Sequence, residues 1–203
     1  MSTITTIFFD IGGVLLTDGW GHDSRRAAAE HFGLDLEEYS DRHEKVAHAI
    51  ETNRLTLDQY LARAVFYRPR PFTREEFREY MFAQSQPKPD SIEIAKQLAA
   101  AKTSFMATIN NEILELNVYR LEKFGLRAVF PIFFSSCFLG LRKPDEAIYR
   151  TALLVTQRKP EECIFIDDRE VNLECPRELG LATILFREAQ QLRSQLHELG
   201  VPI

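Results

Sequence analysis

The stretch Phe8-Phe9-Asp10-Ile11-Gly12-Gly13-Val14-Leu15-Leu16, FFDIGGVLL, lies near the start of the chain. An apolar run stops there at a single carboxylate, and two glycines follow at once. The run from Thr5 to Phe9 has the length and composition of a strand buried on both faces, as in a parallel sheet. The glycines behind Asp10 let the backbone approach a ligand closely. In an open α/β sheet, ligands bind at the carboxyl ends of the strands, so the question is what meets Asp10 at that edge.

Four more short apolar runs read as strands: Thr103 to Thr108, Ile132 to Ser135, Cys163 to Asp167 and Ala182 to Phe186. Helical patterns lie between the later ones, at Ile113 to Phe124, Pro144 to Val155 and Cys175 to Leu179, the last closed by Gly180 as a C-cap. Pro176 removes a helix hydrogen bond anywhere past the first turn, so residues 169–174 read as a turn or 3₁₀ segment and the regular helix as starting near Cys175. Strands alternating with helices predict a parallel, Rossmann-like sheet in a three-layer α/β sandwich with right-handed crossovers.

From Leu16 to Pro89 the rhythm changes to helices only: Arg25 to Phe32, Asp35 to Glu51, Thr56 to Val65 and Thr73 to Ala83. Asp35, Thr56 and Thr73 are N-cap candidates, and the RPRPF stretch, Arg68 to Phe72, is a turn. The expected organisation is an α/β core from residues 1–15 and 90–203, with residues 16–89 a small helical cap inserted after the first strand. A block so placed can sit as a lid over the sheet's carboxyl edge.

The chain of 203 residues, 45% hydrophobic and 27% charged, is long enough for one core with such an insertion. Its formal net charge of -5 argues against a nucleic-acid partner, because phosphate backbones are bound by basic surfaces. Cys137, Cys163 and Cys175 have no metal-ligand spacing and read as small apolar residues in a reducing compartment. No signal-peptide pattern opens the sequence and no segment approaches the ~20 apolar residues of a membrane span. The expectation is a cytoplasmic protein with no membrane partner, a monomer or a weak homodimer.

The polar residues at the predicted strand ends are Asp10, then Thr108 with Asn110 and Asn111, then Lys143 in LGLRKPD, then Asp167-Asp168 in FIDDREVN. Three carboxylates, a lysine and a hydroxyl in one crevice suit phosphoryl transfer, in which charge on the moving phosphoryl group must be neutralised. A carboxylate can itself be the nucleophile. Mg²⁺ takes one or two carboxylates together with waters and phosphate oxygens, and Asp10 and Asp168 can supply them.

These four segments, in this order and spacing, resemble the four motifs of the haloacid dehalogenase-like hydrolase superfamily, and the helical insertion resembles its C1 cap. The resemblance implies Asp10 as nucleophile and metal ligand, with the Gly12 carbonyl beside it on the metal. It implies substrate binding by Thr108, Ile109, Asn110 and Lys143, with Lys143 also holding Asp10 ionised. Asp168 would ligate Mg²⁺ directly, Asp167 through water or as an orienter, and Asn172 would support their loop.

The family's phosphatases usually carry a second acid two residues past the nucleophile, where this chain has Gly12. A Gly there resembles the branch containing glucose-1-phosphate phosphatases. General acid-base help is worth roughly 10² to 10⁴-fold. The foremost reading is a phosphatase of a small phosphorylated metabolite, such as a sugar 1-phosphate or acyl phosphate, with Asp18, His22 or Asp23 of LLTDGWGHD delivering the proton. The alternatives are a catalytically weak binding or regulatory protein, favoured by Ile109 where relatives often have Asn after the hydroxyl residue, and a metal-free dehalogenase, disfavoured by Asp167-Asp168. Trp20 reads as hinge packing, and the histidines and Arg25-Arg26 as surface residues. The side chains weighed for specificity are Arg25, His48, Tyr60 and Tyr67.

Overall fold

The computed structural model describes residues 3–203, so the first two residues of the expected core lie outside it. Five strands, β1 (Thr6–Phe9), β2 (Phe105–Asn110), β3 (Ile132–Ser135), β4 (Cys163–Asp167) and β5 (Ala182–Leu185), form one parallel sheet of order β3-β2-β1-β4-β5. β1, buried throughout, is the central strand. The chain reverses direction across the sheet between β1 and β4, and the carboxyl ends of those two strands flank the crevice that such a switch point opens.

Helices α1 (His22–His31), α2 (Leu36–Glu51), α3 (Leu57–Ala64) and α4 (Arg74–Ala83) follow β1. Their starts are written in the sequence: Asp35 accepts from the Glu38 amide at 2.8 Å, and Thr56 with Gln59 and Thr73 with Glu76 form reciprocal capping boxes. Trp20, Tyr39, Ile50, Tyr60, Leu61, Phe77 and Met81 give the four helices an apolar cluster, which also takes in Ile113 and Leu116 from the α/β core. The chain enters and leaves this block side by side, since the Thr17 amide donates to the Gln86 carbonyl at 2.9 Å and its hydroxyl to the Gln84 carbonyl at 2.7 Å.

After the block come α5 (Pro89–Ala101), α6 (Leu114–Lys123), the short α7 (Ser136–Leu139), α8 (Glu146–Thr156), α9 (Val171–Leu179) and α10 (Ala189–Glu198). Alternation along β1 sends Ile7 and Phe9 to one face, against Leu98 of α5 and Leu192 and Leu196 of α10, and Phe8 to the other, against Ile148 and Tyr149 of α8 and Leu173 of α9. Burying each such side chain stabilises the sandwich by roughly 1.5–3 kcal/mol. Among the described residues no helix is long and apolar enough to cross a membrane.

Three sequence expectations change. α5 and α10, which complete one helical layer, were not among the predicted helices. β2 starts at Phe105 and runs on to Asn110 rather than spanning Thr103 to Thr108. α9 starts at Val171, not near Cys175, and carries Pro176 inside it. The ring deprives the Asn172 carbonyl of its helical donor, and the Tyr149 hydroxyl of α8 donates to that carbonyl instead, at 2.8 Å.

Candidate active site

Asp10 stands one residue beyond β1 and is buried. Its Oδ1 accepts from the Ile11 amide at 2.7 Å, and its Oδ2 lies 2.8 Å from Lys143 Nζ. The same ammonium donates to Asp167 Oδ2, the end of β4, at 2.6 Å. Lys143 is held in turn by its backbone, because Asn111 accepts from its amide at 2.8 Å and donates to its carbonyl at 2.9 Å. Asp167 is committed on every side: the Arg169 amide and the Asn172 side chain also donate to it, at 2.9 and 3.0 Å.

Asp168 completes the group, with one carboxylate oxygen each of Asp10, Asp167 and Asp168 lying within 4.8 Å of one another. Burial raises the Asp10 and Asp168 carboxyls above their ordinary range, and the neighbouring carboxylates add to it. Burial works against the Lys143 charge, yet Asp10 and Asp167 hold it protonated. One ammonium thus faces three desolvated carboxylates, a donor set of hard oxygens short of positive charge, which fits a divalent cation. Gly13 leaves room for the Asp168 carboxylate: at φ +73° it has no Cβ, and one placed there would fall 2.0 Å from Asp168 Oδ2.

These residues floor a crevice of about 580 Å³ whose opposite wall is the helical block. His43, Ala47 and Glu51 line it from one stripe of α2, together with Trp20 and Arg25. Arg142 pairs with Glu51 at 3.2 Å. Glu112 and Arg120 form a buried ion pair, and Arg120 Nη2 donates to the Thr17 carbonyl at 2.5 Å, fixing the entry to the block. His43 Nδ1 meets the Tyr60 hydroxyl at 3.0 Å, and burial together with the Arg25 and Arg142 charges lowers its pKa to about 3.

Of the residues expected at this site, Asp10, Gly12, Asn111, Lys143, Asp168 and Asn172 line the crevice, with Asp167 beneath them. Thr108 does not line it. In the parallel register it pairs with Phe9, one residue short of Asp10, and its hydroxyl is buried without a partner. Ile109 packs in the core and Asn110 bonds Asn117 and Ser135, so Asn111 and Glu112 form that wall instead.

The expectations for the inserted block also change. His43 is buried rather than solvated, and Arg25 lines the crevice, its Nη1 donating to the Trp20 carbonyl at 2.6 Å. Tyr60 is buried behind His43, while His48 is exposed. Trp20 both packs edge-on against Phe77 and reaches the crevice. Arg142 and Arg169 adjoin residues singled out in the sequence, and the spacing of His43, Ala47 and Glu51 by four was the signal for the α2 stripe. The cysteines are free, and burial pushes the Cys137 and Cys163 thiols up to about 12, which makes them poor nucleophiles.

A family model for haloacid dehalogenase-like hydrolases matches residues 4–180. The chain belongs to that family. This haloacid dehalogenase-like (HAD) hydrolase is 29% identical over 198 residues to flavin mononucleotide hydrolase 1 of Arabidopsis thaliana, a chloroplast protein by its name. That match spans 97% of this chain and 78% of the relative. Among solved structures, the HAD hydrolase is similar to a HAD family enzyme of Bacteroides thetaiotaomicron, with TM-score 0.82, 17% identity, and 97% and 99% of the two chains covered. A structure of that enzyme with magnesium and inorganic phosphate gives TM-score 0.74 at 15% identity, covering 91% and 94%. A dehalogenase gives TM-score 0.65 at 20% identity, covering 90% and 84%. At these identities the structural likeness is one of fold.

Proposed function

We propose that this HAD hydrolase cleaves a small phosphate monoester through an aspartyl-phosphate on Asp10, with Mg²⁺ as cofactor and with residues 16–89 as a cap over the site. The observation that carries this reading is the Lys143 ammonium between Asp10 and Asp167, beside the Asp168 carboxylate at the same sheet edge. Asp10 is the nucleophile in this reading because it is the carboxylate that meets the crevice from the central strand. Lys143 favours its ionised form against the burial that raises its pKa, and draws the phosphoryl group in. Asp10 and Asp168 would hold the metal, which when bound supplies charge neutralisation for the phosphoryl oxygens. Asp167, with its oxygens taken by Lys143, Arg169 and Asn172, orients rather than ligates directly.

The pairing of the entry and exit segments of α1–α4 supports a cap joined to the core at one place, where it packs on Ile113 and Leu116 at the start of α6. Arg25, Arg142 and Arg169 around the crevice suit an anionic substrate. The Arabidopsis relative's name places flavin mononucleotide in the first panel, beside sugar phosphates and acyl phosphates. The test is phosphate release with and without Mg²⁺ by wild type and Asp10→Asn, with mass spectrometry of the trapped phosphoryl-enzyme. Turnover is expected only for metal-loaded wild type. Turnover by Asp10→Asn would overturn the mechanism, and halide release from 2-haloacids without metal would put the dehalogenase reading in its place.

A further inference from the structure

An alkoxide leaving group must be protonated as it departs, and the water that hydrolyses an acyl phosphate must lose a proton. The loop after Asp10 offers glycines at positions 12 and 13, so the proton carrier has to be another group on the crevice wall. Glu51 and Glu112 are held in ion pairs by Arg142 and Arg120. Asp167 is tied to Lys143, and His43 is neutral with its Nδ1 on Tyr60. His22 and Asp23 both bond Arg26, which occupies their side chains.

Two acids on the wall remain, Asp18 and Glu44, and among the described residues neither makes a hydrogen bond or ion pair through its side chain. Glu44 stands on α2, in the helical block. Asp18 stands beside the nucleophile's loop: its Oδ1 lies 3.5 Å from the point a Cβ on Gly12 would occupy. Its Oδ2 lies 2.0 Å from the corresponding point on Gly21. The carboxylate therefore occupies a slot that exists because position 21 has no side chain, open to the crevice and bonded to nothing.

We propose that Asp18 is the general acid and base of this reaction, an inference that rests on the aspartyl-phosphate reading. In the first half, an Asp10 oxygen bonds phosphorus as the ester P–O bond breaks. The departing oxygen takes its electron pair and the Asp18 proton, leaving as the alcohol. In the second half, water bonds phosphorus while Asp18 takes its proton. The P–O bond to Asp10 breaks, its pair returns to the Asp10 carboxylate, and inorganic phosphate leaves with Asp18 protonated again. Arg169, Arg120, Arg25 and Lys143 face Asp18 with positive charge and Asp168 with negative charge. Partial desolvation by the crevice outweighs the cations and raises the Asp18 carboxyl, the direction a proton carrier needs.

Rapid mixing of the Mg²⁺-loaded enzyme with p-nitrophenyl phosphate, whose leaving group needs no proton, and with a hexose 6-phosphate tests this. Asp18→Asn should keep the p-nitrophenolate burst within about threefold of wild type and then turn over about 10²-fold more slowly, with phosphoryl-enzyme accumulating. On the hexose phosphate it should lose about 10²-fold with no burst. Gly21→Ala, whose methyl falls on the Asp18 carboxylate, should show the same split. Hexose phosphate turnover within threefold of wild type in Asp18→Asn, or a burst that falls as far as hexose phosphate turnover, would overturn the proposal. A wild type that forms no phosphoryl-enzyme from either ester would instead remove the reading beneath it.

Discussion

At the scale of single residues, Gly13 joins the backbone to the carboxylate cluster. Its φ of +73° costs an L-residue about 1–2 kcal/mol. Its missing Cβ is also the space that Asp168 fills. Gly13→Ala should therefore lose on the order of 1–3 kcal/mol of stability in urea titrations. It should also lose most of the Mg²⁺-dependent rise in melting temperature, which separates it from a surface glycine. His43 gives a second residue-scale outcome. Its folded pKa of about 3 lies below its unfolded value of 6.5, so its contribution to stability is present above pH 6.5 and is lost as the pH falls towards 3. Between pH 8 and pH 5 this amounts to about 2 kcal/mol, because the unfolded chain takes up a proton that the folded chain refuses. His43→Gln should remove that limb from the pH dependence of unfolding, and an unchanged slope would show that another group controls it.

At the scale of elements, α9 continues through a proline because α8 supplies the missing donor. Tyr149→Phe leaves the Asn172 carbonyl buried and unpaired, so the variant should lose about 1–3 kcal/mol. In the double variant with Pro176→Ala, a backbone amide is restored at the right place and much of that loss should disappear. A coupling near zero in this cycle would mean that the two groups do not share the carbonyl. The sequence hid this arrangement because a proline signals a break, and the donor that offsets it is distant in the chain. β2 was misplaced for a similar reason. Asn110 ends the apolar run, but its side chain accepts from the Ser135 hydroxyl at 2.8 Å and donates to Asn117 Oδ1 at 3.0 Å, so the strand continues to it. That shift moved Thr108 off the crevice wall. By contrast, the limits of β3 and β4 were legible, since each apolar run stops where a polar side chain meets the sheet edge. Asp10, Lys143 and Asp167-Asp168 were legible with them. Glu51 and His43 were not, because their place depends on where α2 lies against the sheet.

At the scale of the whole molecule, the site works against the stability of the protein that carries it. The crevice holds Asp10, Asp18, Glu51, Glu112 and Asp168, and burial raises the carboxyl of each. A group whose folded pKa is raised contributes stability below its unfolded value, here near 3.8 to 4.5, and loses it as pH rises through the folded value. These carboxyls therefore draw down the melting temperature of the metal-free protein as the pH rises from 3.8, against the His43 limb, which raises it up to pH 6.5. A divalent cation that binds only the folded protein opposes the trend. At a hundredfold excess over its Kd it adds about 2.7 kcal/mol. Mg²⁺ should therefore raise the melting temperature most at the alkaline end, and chelation should reverse it. Asp10→Asn separates the contributions: removing one carboxylate from the cluster should make the metal-free protein more stable than wild type at pH 8, while abolishing most of the gain from Mg²⁺. If the variant is instead less stable without metal, Asp10 is a structural partner of Lys143 before it is anything else, because the cost of breaking that buried pair then exceeds the relief of repulsion among three carboxylates.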